Sequence, residues 1–319
     1  MMEALRKTNP PQRLKQRTIG GSWKTQLGYY LMFLVPVLYK ILFSYIPMSG
    51  IYLAFIEYKP AKGIFGSAFV GLTHFKTFFK SVDFVRIFRN TVMYNVLRAV
   101  FVELLGGMFF ALMLYEIRSK VANKIYHTCM LLPAFISWTV VSAALLLILH
   151  PDNGFLNDLL KLLGMKPISW YREQKYWPTI ILLCMMYKGA GMNSIYFYSA
   201  LLSIDPEQFD AAEIDGANRL RQIRYISIPA MRKVFCITLI MSLGNVLDSS
   251  ISPYYQLTFD QGNLYETTQV LGTYLYKGLG GGRFSFMTAV GLVQSMIGLM
   301  LVIASNTVIK RVDPDSAMF

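Results

Sequence analysis

The sequence predicts an all-α, polytopic membrane protein with six transmembrane helices, on three observations. The 319 residues are 54% hydrophobic and only 15% charged, whereas a soluble chain carries about a quarter charged residues. Six apolar segments, 28–55, 92–115, 126–149, 178–203, 234–252 and 284–309, reach the roughly 20 residues needed to cross the hydrocarbon. Only helices and closed barrels satisfy the backbone in lipid, and these runs are too long and too uniformly apolar for barrel strands.

Taken in order, the chain opens with a basic segment, 1–27, that carries Arg6, Lys7, Arg13, Lys15, Arg17 and Lys24. A long polar stretch before an extended first span does not fit a secretory signal. Pro36 and Pro47 are expected to kink that span. The aromatic, basic loop 56–91 (Phe75, Phe78, Phe79, Phe84, Phe88) reads as an interfacial helix on the membrane surface. Trp170, Tyr171, Tyr176 and Trp177 in 150–177 read as an aromatic belt. The last span sets Thr288, Gly291, Ser295 and Gly298 on one face, a surface for close helix packing. The chain reads as one membrane domain, 28–319, without an evident internal repeat.

More of the Lys and Arg fall in the segments that are internal when the N-terminus is cytoplasmic. Both termini and the polar segment 204–233 are then cytoplasmic. The net charge of +13 does not require nucleic acid: basic residues beside spans are matched by anionic lipid headgroups, and no nucleic-acid motif occurs. Cys129, Cys184 and Cys236 lie in or beside spans without paired spacing and read as buried apolar residues. His74, His127 and His150 are scattered and offer no metal site. The glycines of 278–282 are not followed by Gly-Lys-Ser/Thr, and no phosphate loop occurs elsewhere. The chain is therefore not expected to hydrolyse ATP, to act as an enzyme, or to bind a cofactor or metal.

Ionisable and polar residues inside spans are costly and mark functional candidates. Lys40, Arg98, Glu103, Lys188 and Asp248 are the ionisable ones. Arg98 and Glu103 are five residues apart, which on an α-helix sets them about 140° apart. They are expected not to pair, and to find partners on other helices or a second subunit. Three cations against two acids leave a surplus cation, which favours an anionic cargo if it lines a path. Snorkelling of Lys188 is the alternative, and requires a helix break at Gly189-Ala190-Gly191. In the fifth span Thr238, Ser242, Asn245, Ser249 and Ser252, with Asp248 beside them, follow a 4-3-4-3 spacing that shares one helix face. Two uses fit that stripe: a surface suited to sugar hydroxyls, or hydrogen bonds between helices. The substrate-path candidates are Lys40, Arg98, Lys188, Asn193, Ser242, Asn245, Asp248, Ser249 and Ser252.

The segment EQFDAAEIDGANRLRQIRYISIP, residues 207–229, is a polar island between two apolar spans. Small residues (Ala211, Ala212, Ala217) suit a short helix that enters a partner's groove. Asp210, Glu213 and Asp215 are assigned to the start of that helix, where its dipole favours acids. Gly216 permits a turn, and Pro229 ends the segment. The segment resembles the coupling loop of ABC importer permeases: E-A-A, a spacer, G, nine residues, then I-x-L-P. Nine residues separate Gly216 from Ile226 here. Asp210 stands where that pattern has Glu, and Ile228 where it has Leu.

The stretches YKPAKGIFGS (58–67), VGLTHF (70–75), RNTVMYN (89–95), LLPAFISWTVV (131–141) and ALLSIDPEQFDAAEIDGA (200–217) also resemble the oligosaccharide branch of maltose-type permeases. The resemblance implies a type I, binding-protein-dependent importer in the bacterial cytoplasmic membrane. A second, homologous permease would complete the channel. Two ATPase subunits would carry ATP and Mg, and an extracellular solute-binding protein would deliver oligosaccharide. Asp210 to Ala217, with Pro229, would then couple this chain to an ATPase. That branch includes importers of acidic plant or algal oligosaccharides. A channel or secondary transporter would need no docking helix and would favour inverted repeats. A membrane enzyme would need converging catalytic groups.

Overall fold

A computed structural model describes residues 23–247 and 250–312, so residues 1–22 of the expected basic segment lie outside it. The chain divides into two units, Met1–Ile51 and Tyr52–Phe319. In the first, α1 (Trp23–Lys40) contains Pro36 and runs into a π-helical turn, Ile41–Tyr45. A 3-10 stretch, Ile46–Phe55, contains Pro47. The hydrogen-bond register changes twice along this segment, after Lys40 and again at Ile46 beside Pro47, whereas α1 continues past Pro36.

The second unit opens with an antiparallel hairpin, β1 (Ile56–Lys59) and β2 (Gly63–Phe69), in which Ile56 faces Phe69. This corrects the reading of 56–91 as one interfacial helix. Helix is present only in α2 (Thr73–Lys80) and in α3 (Val82–Leu97). Phe78 is buried against Phe286 and Phe84, so this aromatic face turns into protein. The chain continues from α3 through a π-helical stretch, Arg98–Gly106, into α4 (Gly107–Tyr115).

Next come α5 (Lys120–Phe135) and α6 (Trp138–Ile148), bent by 94° at the break between them. Pro133 lies near the end of α5. The side chain of Ser137 accepts a hydrogen bond from the Val140 N–H at 3.3 Å, so a new helix starts with its own cap. A short helix, α7 (Phe155–Leu162), precedes α8 (Trp177–Leu202), which packs against α4, the π-helical stretch and α5. Beyond it lie α9 (Pro206–Ile214) and α10 (Arg219–Gln222), then a π turn, Ile223–Ser227, and α11 (Ile228–Ala230). A 55° bend leads into α12 (Arg232–Gly244). Then α13 (Ser252–Leu257), α14 (Tyr265–Thr268), α15 (Leu271–Gly280) and α16 (Phe284–Val312) complete the described chain.

Among the described residues four helices are long and apolar enough to cross a membrane, and each bent pair counted as one span makes six. Five of the apolar segments of the sequence fall almost wholly within these spans, whereas the expected 234–252 shares only 234–244 with the bent pair Arg219–Gly244. Leu132, Phe135, Leu147, Leu299, Met300 and Ile303 are exposed, apolar surface of the kind a bilayer accepts.

Burial explains other departures from the sequence reading. Trp177 is fully buried, and Trp170 and Tyr171 are nearly so, in one core cluster with Tyr94 and Tyr254. They are core residues, not a belt at the lipid surface. Asn157 anchors them by accepting from the Trp170 indole N–H at 3.0 Å. Cys129 is exposed and Cys184 and Cys236 are half-buried, so burial fails as an account of Cys129. On α16, Gly298 approaches the Gly244 carbonyl, whereas Gly291 faces open space; the small-residue face packs within the chain at one end only.

Candidate translocation path and docking loop

The π-helical stretch shapes the site. Its wider turn brings residues five apart onto a shared face, and the Arg98 guanidinium lies 3.4 Å from the Glu103 carboxylate. The expectation that these two would not pair is therefore wrong, because it assumed α-helical spacing. The Ser242 hydroxyl, on α12, is within hydrogen-bond reach of both the Glu103 carboxylate and the Thr238 carbonyl.

A cavity of about 390 Å³ opens beside this pair. Arg98, Glu103, Trp138, Lys188, Asn193 and Tyr254 supply most of its chemistry. A second cavity of about 460 Å³ is lined by Glu103, Asn193, Tyr196, Ser199, Thr238, Ser242 and Asn245, with apolar residues of α12. Glu103 and Asn193 belong to both. Along α8 the first cavity uses Met185 to Asn193 and the second Asn193 to Ser199, so they succeed one another toward α9.

Lys188 reaches across to the broken end of α5. Its Nζ donates to the carbonyls of Pro133 at 3.1 Å and Ala134 at 3.3 Å, and also to that of Ile136. The last carbonyls of a helix lack intrahelical partners and carry negative partial charge, which a cation relieves. Lys188 also lies 5.2 Å from the Trp138 ring centre. The helix is unbroken through Gly189-Ala190-Gly191, so the break invoked for snorkelling is absent. Gly191 serves a different purpose: a Cβ there would fall on the Met130 carbonyl, so glycine lets α8 touch α5.

Of the remaining path candidates, Ser242 and Asn245 line the second cavity. Ser252 begins α13 and lines neither cavity, although its neighbours Ser250, Pro253 and Tyr254 line the first. Lys40 belongs to the first unit. Asp248 and Ser249 lie outside the described residues. The stripe does not run along one helix, because α12 ends at Gly244 and Asn245 sits in a turn; only Thr238 and Ser242 keep helical spacing. Trp138 and Tyr254 were not foreseen. Trp138 carries a local signal, the Pro133 and Ser137 pair that breaks the span and caps the next helix, while Tyr254 carries none.

The loop 204–233 is built from caps. Asp205 accepts from the Glu207 N–H at 3.1 Å, with Pro206 at the first helical position of α9. At its other end Gly216 has φ +75°, and the Ala217 N–H reaches the Ala212 carbonyl at 2.8 Å. This is the left-handed glycine stop. Asn218 then caps α10 by accepting from the Arg221 N–H at 3.0 Å. Glu213 and Asp215 stand at the C-terminal end of α9, where the dipole disfavours acids. The dipole account of these two is therefore corrected. Pro229 lies inside α11, just before the bend into α12, so the segment does not end at it.

No residue of α9 is buried. Phe209 is half-buried, packs against the cluster of Leu104, Ala111, Phe197, Leu201, Ile204 and Met231, and lies 5.9 Å from the Tyr115 ring. Ile214 and Leu220 are 87% and 75% exposed. The loop is thus an apolar-tipped helix fixed by one aromatic to a cluster that includes Leu104 of the π-helical stretch and Phe197 of α8, both elements that wall the cavities. Arg219 adds an ion pair to Glu116 at 3.8 Å.

Several helices apolar and long enough to cross a membrane, with polar cavities between them, fit a membrane transport subunit. Residues 103–317 match the family described as binding-protein-dependent transport system inner membrane component, and the chain belongs to that family. The polygalacturonan/rhamnogalacturonan transport system permease protein YteP of Bacillus subtilis (strain 168) is 34% identical over 284 residues, 88% of this chain and 87% of that protein. Protein LplB of the same organism is 33% identical over 301 residues, 93% and 94% of the two chains. A chain of a bacterial ABC transporter involved in the import of the acidic polysaccharide alginate superposes with a TM-score of 0.82. It is 30% identical, and the match covers 91% of this chain and 97% of that one. A chain from the alginate transporter in complex with alginate pentasaccharide-bound periplasmic protein gives 0.81, again at 30% identity, covering 91% and 96%. The protein is accordingly a permease subunit of an ABC importer and not an enzyme. Family membership sets aside the reading as a secondary transporter or free-standing channel.

Proposed function

We propose that this permease forms half of the channel of an importer for acidic, uronate-containing oligosaccharides. The charge of the first cavity carries the reading. Among its described lining residues Arg98 and Lys188 are cationic and Glu103 alone is acidic. Lys188 is bonded to neutral carbonyls, which orient it and leave its charge uncancelled. The likeness to proteins named for polygalacturonan and alginate transport supports the same cargo class.

A second, homologous permease closes the open side of the cavities. Two ATPase subunits bind ATP and Mg, and an extracellular binding protein delivers cargo. Residues 1–27, the loop 204–233 and both termini are cytoplasmic, and 28–319 form the permease domain. Asp210, Ala211, Ala212, Glu213, Asp215, Gly216 and Ala217 meet an ATPase, with Pro229 supporting the loop. Closure of the ATPase dimer moves α9, and Phe209 carries the movement through Leu104, Phe197 and Leu201 to the π-helical stretch and α8, which wall the path. Each conformation is populated according to what it stabilises.

Co-purification of the tagged chain, followed by ATPase assays with neutral and acidic oligosaccharides plus binding protein, tests this. Recovery of a second permease and an ATPase, stimulated by the acidic cargo, is expected. Stimulation by neutral sugars alone refutes the cargo. A chain recovered without an ATPase refutes the coupling role.

A further inference from the structure

We infer that Glu103 is an affinity-tuning residue of the path, which occupies Arg98 until a cargo carboxylate displaces it. This rests on the acidic-cargo reading above. Three observations carry it. Glu103 is the one acidic residue in the wall common to the two cavities among the described residues. Its carboxylate is 3.4 Å from the Arg98 guanidinium, and both side chains are partly exposed, at 17% and 27%, so incoming solute reaches them. The Arg98 Nε is buried without a hydrogen-bond partner, so the ion pair with Glu103 does not satisfy the whole guanidinium.

The pair is an internal competitor. A neutral sugar offers Arg98 only hydroxyl oxygens and cannot match a carboxylate. A uronate offers the same group that Glu103 does, so exchange is close to isoenergetic and leaves cargo loosely held. Lys188, already oriented by the end of α5, attracts the anion to the cavity. The released Glu103 remains in reach of Ser242, on the wall of the second cavity. The π-helical register makes the device: in an α-helix Arg98 and Glu103 would diverge. The built-in rival thus tempers the grip on the anion, while Lys188 supplies the preference for it.

The test uses the complete importer in nanodiscs and a fluorescent uronate trisaccharide, with its methyl ester as the neutral twin. Wild type should bind the acid more tightly than the ester, and Lys188→Gln should weaken the acid alone. Glu103→Gln should tighten acid binding about fivefold, the scale of one part-exposed ion pair, and leave ester binding unchanged. Glu103→Asp, which keeps the charge but withdraws it from Arg98, should move acid binding the same way by less, and it decides the matter if Glu103→Gln does not assemble. Unchanged or weakened acid binding in an intact complex overturns the role of Glu103 while the acidic-cargo reading stands. A wild type that prefers the ester overturns both.

Discussion

Phe209→Ala isolates the mechanical link between the docking helix and the path. Phe209 fixes α9, a helix without buried residues, to the Leu104, Phe197 and Leu201 cluster. Truncating a fully buried Phe costs about 3–5 kcal/mol. Phe209 is half-buried, so about 2 kcal/mol is at stake, roughly a 30-fold change in the docked population of α9. The exposed residues of α9 that would meet the ATPase are untouched. The complex should therefore assemble at near wild-type yield and keep its basal ATPase rate, while stimulation by loaded binding protein collapses. The assay is ATPase activity in nanodiscs with and without loaded binding protein, paired with a spin label at Glu207 to follow the helix. Full stimulation with a wild-type label spectrum would refute the argument, since the helix would be held by something other than this ring.

Other substitutions test neighbouring parts. Gly216→Pro demands φ near −65° where the chain has +75° and removes the N–H that reaches Glu213; uptake should be lost with the protein still in the membrane, and normal uptake would exclude the turn from coupling. Ala212→Asp places a charge in the docking face and should likewise abolish stimulated ATPase activity without loss of the folded permease. Gly191→Val drives a side chain onto the Met130 carbonyl, so the recovered, monodisperse complex should fall at least several-fold by fluorescence-detected gel filtration. Lys188→Gln leaves the α5 carbonyls with a neutral, shorter donor; it should lower thermal stability by about 1–3 kcal/mol and weaken acidic cargo, and an unchanged melting midpoint would deny it the capping role.

The six spans were legible because bilayer thickness writes itself into composition. The helix and turn of 205–222 are legible because caps and turns are local: Asp205-Pro206, Gly216 and Asn218 each act within a few residues. What stayed hidden depends on hydrogen-bond register or on distant neighbours. No residue type announces a π-helical stretch, and α-helical spacing puts Arg98 and Glu103 on different faces. The stripe from Thr238 to Ser252 was spaced as a helix, yet α12 stops at Gly244. Trp170 and Trp177 have the composition of an interfacial belt, and only their packing with Tyr171 and Tyr254 shows them to be core. Lys188 was picked out by its charge in an apolar span, but its carbonyl partners lie more than fifty residues away.

Uptake of a labelled uronate oligosaccharide and of its methyl ester into proteoliposomes carrying the full importer tests the central claim most directly. The two cargoes share length and linkage and differ only in charge. The acid should enter in an ATP-dependent manner, with the ester well below it, and Lys188→Gln should narrow the gap. Equal uptake of both, or faster uptake of the ester, would contradict a path built around Arg98 and Lys188 for anions.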